Sequence, residues 1–87
     1  MKEYRLIYNY NGNHWTLINK SSNPEGVIEY INNNIAELED AYDEEAPNYF
    51  SVLLYVDGVY KASWEGDPYD LIYFMEIVTG KRKLVNR

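Results

Sequence analysis

The chain contains no cysteine, so neither a disulfide nor a thiolate metal centre can brace it, and a reducing compartment is its simplest home. It contains one histidine, His14. No Ser-His-Asp set can be assembled around it with any spacing logic, and no glycine-rich loop is built to cradle a phosphate. Long apolar runs are missing too: nothing approaches the roughly 18 residues that cross a bilayer, and the N-terminal stretch lacks the basic-then-apolar order of a secretion signal. These absences set the expectation of a cytoplasmic protein that is not an enzyme, needs no cofactor or metal, and has no membrane partner.

Positive charge is also scarce over most of the chain. Fourteen acids and 8 bases give a net charge of −6, yet Lys81, Arg82, Lys83 and Arg87 all lie at the C-terminal end. Without those four, residues 1–80 carry 14 acids and 4 bases, a net of −10. A body that negative repels nucleic acid and attracts basic surfaces, so direct nucleic-acid binding is not expected. The terminal bases suit the end of a last helix, where the dipole favours cations.

At 87 residues the chain has material for one compact domain, spanning 1–87. "EYRLIYNY" and "HWTLIN" flank Asn11-Gly12, a strong hairpin signal because both turn positions need positive φ. A two-residue loop there sets Tyr8 opposite Trp15, Leu6 opposite Leu17 and His14 across from Asn9. Asn23 and Pro24 then read as the cap and first residue of a helix, whose buried stripe is Val27, Ile31, Ile35, Leu38 and Tyr42. Pro47 ends that helix at the latest. A second hairpin turns at Asp57-Gly58, Asp67-Pro68 repeats the cap, and Gly80 is a stop. Strand 48–56 is apolar on both faces, so the pattern does not choose its buried side.

The order is therefore ββαββα, an α+β fold: a four-stranded antiparallel sheet with two helices packed on one face. "NPEGVIEYI" and "DPYDLIYFM" echo one another, either as an internal ββα repeat of units 1–46 and 47–80, followed by the basic tail 81–87, or as convergence of one capping device on an apolar stripe.

The first helix ends in "IAELEDAYDEEAP", six carboxylates with no base. Projected at about 100° per residue, Glu29, Glu37, Asp40, Asp43 and Glu44 share the side opposite the apolar stripe. If the helix runs that far, it carries a carboxylate ridge about 22 Å long. Glu37 with Asp40, Asp40 with Asp43, Asp40 with Glu44 and Glu39 with Asp43 are like-charge pairs at helical spacing, each destabilising by roughly 0.2–0.5 kcal/mol. Three readings of the run compete. It is a solvated loop, a phosphate-like surface for a basic groove, or an oxygen-ligand metal site, for which the spacing of a calcium loop is missing.

The second helix is apolar nearly all round, with Leu71, Ile72, Phe74, Met75 and Val78 on one face. Tyr69, Tyr73 and Ile77 form a second stripe, suited to an interface. Tyr8, Tyr10, Trp15, Tyr55, Tyr60 and Trp64 read mostly as core or cross-strand pairs.

Taken together, the acidic cysteine-free chain, the carboxylate-rich helix, the richness in tyrosine and asparagine and the missing catalytic set resemble phage-encoded inhibitors of host defence, anti-CRISPR proteins among them, several of which imitate DNA. The resemblance is one of general character and implies a protein-binding inhibitor in the host cytoplasm, its partner a host protein with a basic nucleic-acid-binding groove. The expected partner-binding residues are Glu29, Glu37, Asp40, Asp43 and Glu44, with Tyr69, Tyr73 and Ile77 as an apolar anchor. The alternative is a homodimeric assembly protein, joined through the second helix or a sheet edge, whose acidic face only aids solubility.

Overall fold

A computed structural model describes residues 1–81; the expected basic tail beyond Lys81 lies outside the described residues. The elements are β1 (Lys2–Tyr10), β2 (His14–Ser21), α1 (Pro24–Asn33), α2 (Ile35–Ala41), β3 (Tyr49–Val56), β4 (Val59–Gly66) and α3 (Pro68–Thr79). The fold is α+β with the chain order expected, and its four strands form one antiparallel sheet in the order β2-β1-β3-β4.

Both hairpins turn where the glycines allow. Asp57 and Gly58 have φ of 51° and 82°, and Val56 pairs directly with Val59. Asn11 and Gly12 also take positive φ, and the Asn13 amide donates to the Tyr10 carbonyl at 3.2 Å. The ladder, however, resumes one residue later, with Tyr10 opposite His14.

That slip corrects the expected register. Tyr8 faces Thr16, Asn9 faces Trp15, and Ile7 faces Leu17. Because side chains alternate with period two, one extra loop residue moves a strand's apolar set to the other face. Leu6 and Tyr8 point to the helices, while Trp15 and Leu17 stand on the far side, 62% and 49% exposed. A bulge at Ile18 then turns that side chain back toward the core.

β1 and β3 lie side by side in the middle, pairing Tyr4 with Leu54, Leu6 with Val52 and Tyr8 with Phe50. This row answers which side of β3 is covered. Phe50 and Val52 are fully buried beneath the helices with Tyr4 and Leu6, and Leu54 packs against them.

From above, Val27 and Ile31 of α1, Leu38 of α2, and Leu71 and Met75 of α3 complete the core. The echo between the halves is visible in it. Val27 and Leu71, and Ile31 and Met75, are corresponding positions, and all four are fully buried. Asn23 accepts the Gly26 amide at 2.8 Å, and Asp67 accepts the Asp70 amide at 2.8 Å, each followed by proline. The two hairpins thus stand about a pseudo-two-fold between β1 and β3, and each hands the chain to a helix capped in the same way.

The first helix is not continuous. At Asn34 the backbone leaves helical geometry, and the Asn34 side chain donates to the Tyr30 carbonyl at 2.9 Å, satisfying a group freed at the end of α1. Three consecutive asparagines, which are weak helix formers, make the break cheap. α2 begins at once, the Leu38 amide donating to the Asn34 carbonyl at 3.0 Å. α3 ends as expected in Gly80, left-handed at φ 82°, with Gly80 and Lys81 amides closing on Ile77 and Glu76.

Candidate functional site

The acidic run is helix as far as Ala41 and loop beyond it. Asp43 and Asn48 exchange backbone hydrogen bonds, both 2.8 Å, and the Asp43 carboxylate accepts the Glu45 and Ala46 amides at 3.0 and 3.3 Å. A short acidic side chain that serves its own backbone competes with the helix, and here it wins. Asn48 in turn accepts the Asn11 amide at 2.8 Å, and the Tyr8 hydroxyl donates to the Ala41 carbonyl at 2.9 Å, so the sheet holds both ends of this segment.

Consequently the single straight ridge does not form. Of the four like-charge pairs expected at helical spacing, only Glu37 with Asp40 lies within a helix. Glu29 is on α1, where it shares a shallow groove with Glu25, Asn32 and Lys81.

What forms instead is an acidic end assembled from α2, the loop after it, the end of β4 and the start of α3. Glu37, Glu39 and Asp40 line one open surface of α2. Asp43 and Glu44 meet Glu65, from the end of β4, around an open cleft of about 300 Å³ walled by Tyr42, Pro47 and Tyr49. Asp67 and Asp70 stand beside it at the start of α3, where they cap one another's backbone and meet the positive end of the helix dipole.

The tyrosines register this field. Tyr42 has its pKa raised by burial first, then by the charges of Glu44, Asp67 and Asp70. Tyr69 has its pKa raised chiefly by a hydrogen bond to the Glu39 carboxylate, then by burial and by the charges of Glu39 and Asp67. Among the described residues the ion pairs are the Met1 amino group with Asp57 and Arg5 with Glu3, both away from this end. None of its eight carboxylates is in an ion pair there.

Glu39, Glu65, Asp67 and Asp70 were not among the expected site residues. Glu39 lies in the acidic run but off the projected ridge, and nothing local marks Glu65, Asp67 and Asp70, because the contact depends on where β4 and α3 return relative to α2. The tyrosine stripe is divided in role. Tyr69 is joined to the acidic end through Glu39, Tyr73 lies on the exposed side of α3 in edge contact with Phe74, and Ile77 is half-buried. Among the described residues no group of three or more His, Asp or Glu side chains is arranged to hold a metal ion, and no helix is long and apolar enough to cross a membrane. No family model, curated protein or solved structure matches the chain.

Proposed function

We propose that the protein is a small acidic binding module that docks its acidic end onto the basic nucleic-acid-binding surface of another protein and so inhibits it. The observation that carries this reading is the convergence of eight carboxylates from α2, the following loop, β4 and α3 without a paired cation among the described residues. Like charges gathered from distant parts of a chain are unfavourable in the free protein, and a basic partner relieves them on contact. Tyr42, Tyr49 and Tyr69 supply flat surface with a polar tip among the acids, the composition that suits Arg-rich partners. A defence or DNA-processing protein of a phage's host fits the role.

Affinity capture from bacterial lysate tests it, comparing the native protein with a variant carrying Glu37→Lys, Asp40→Lys, Asp43→Lys and Glu44→Lys whose fold is confirmed by circular dichroism. Nucleic-acid-binding proteins retained by the native chain are expected to be lost from the variant and to elute from the native chain as salt rises. Identical retention by both removes the acidic end from the mechanism.

A further inference from the structure

The edge strand β2 differs from the rest of the molecule in charge and exposure. Residues 4–24 contain no aspartate or glutamate, while Arg5 and Lys20 lie among them, in a chain of net charge −6. β2 has no proline, and among the described residues its outer row of backbone donors and acceptors has no neighbouring strand. On the face away from the helices it exposes Trp15 and Leu17, while Thr16, which lies between them in the chain, is on the same side as Tyr8. Natural edges are shielded by charge, proline or a cover, and this one has little shielding before the bulge at Ile18.

We propose that β2 pairs with β2 of a second copy, antiparallel about a two-fold axis through Thr16, joining two four-stranded sheets into one of eight strands. The occupant is argued from self-complementarity. This register sets Trp15 of each copy opposite Leu17 of the other, so the exposed apolar side chains cover one another as cross-strand pairs. His14 falls opposite Ile18, and Lys20 beyond the ladder, opposite Gly12. No acid meets an acid. The other edge, β4, cannot do this as well, because Glu65 lies within it and Asp57 and Asp67 flank it. A two-fold contact closes on itself, so the product is a dimer and not a filament.

Sedimentation equilibrium across a concentration series, with two designed variants, tests the pairing. The native chain is expected to move from 10.3 kDa towards twice that mass as concentration rises. Trp15→Lys and Leu17→Glu, at exposed positions that leave the core intact, are each expected to weaken the dimer by roughly tenfold or more. Mixing the two is expected to restore it, because the Trp15→Lys side chain of one chain then faces the Leu17→Glu side chain of the other with opposite charge.

The absence of cysteine permits a second readout. Facing residues of an antiparallel pair are about 4.5–5.5 Å apart at Cα, within the span of a disulfide. Thr16→Cys is therefore expected to cross-link on mild oxidation, and Ser63→Cys on β4 is not. A chain that stays monomeric throughout, a dimer indifferent to both charged variants, or equal cross-linking at positions 16 and 63 overturns the proposal.

Discussion

Single side chains decide where the acidic segment goes. Asn34 closes α1 on the Tyr30 carbonyl, and Asp43 draws the chain out of α2 by accepting two amides. Tyr69 of α3 has its pKa raised chiefly by Glu39 of α2, and that shift has a consequence that can be measured. A phenol whose folded pKa is raised contributes stability below its unfolded value, about 10, and loses that contribution as pH rises through the folded value. Spectrophotometric titration of tyrosinate should therefore show late-titrating groups that Tyr69→Phe reduces, and the variant should lose stability less steeply above about pH 10. An unchanged titration would mean that the Glu39 bond does not hold Tyr69 in solution. Asn34 was not legible as a break, and Asp43 only as one of the competing readings of the acidic run, because asparagine and aspartate sit in both helices and turns. What each does there depends on whether its side chain finds a backbone group.

At the level of elements, the sequence was most informative where local chemistry acts alone. Both Asn/Asp-Pro starts, the Gly80 stop and the Asp57-Gly58 hairpin appear as expected, since each requires only residues adjacent in the chain. The first hairpin was legible as a turn but not in register. Asn13 joins the loop, its amide on the Tyr10 carbonyl, and the ladder resumes at His14.

The caps make a testable claim. Asp67→Ala removes the side-chain acceptor of the Asp70 amide, while the amide of residue 67 can still donate to Asp70, and is expected to cost about 0.5–2 kcal/mol in denaturant unfolding. Ile31→Ala or Met75→Ala, at fully buried positions shared between α1 and α3, should cost about 2–5 kcal/mol. A Met75 variant as stable as the native chain would show that α3 does not seal the core. The helical stripe was half legible in the same way: Val27, Ile31 and Leu38 are buried as the periodicity required, while the break at Asn34 leaves Ile35 and Tyr42 only partly covered.

The whole molecule is electrically lopsided. Its first hairpin carries bases and no acid between residues 4 and 24, while α2, the loop after it, the end of β4 and the start of α3 bring eight carboxylates to one end. The sequence showed that acids were clustered along the chain. It could not show that Glu65, Asp67 and Asp70 join them, since that needs the return path of the second hairpin. Nor could it show that Glu29 stands apart, because a continuous helix would have put it on the same ridge.

A dipolar charge distribution of this kind should orient the protein as it approaches a basic surface, and its association rate should fall steeply with ionic strength. The most direct test is displacement. A captured nucleic-acid-binding partner is loaded with fluorescent duplex DNA, and the anisotropy is followed as the native protein or the Glu37→Lys, Asp40→Lys, Asp43→Lys, Glu44→Lys variant is added. Release of the DNA by the native chain, with the variant weaker by roughly tenfold or more, is the result predicted. Stable binding of the native chain to the partner while the DNA stays bound would contradict the account.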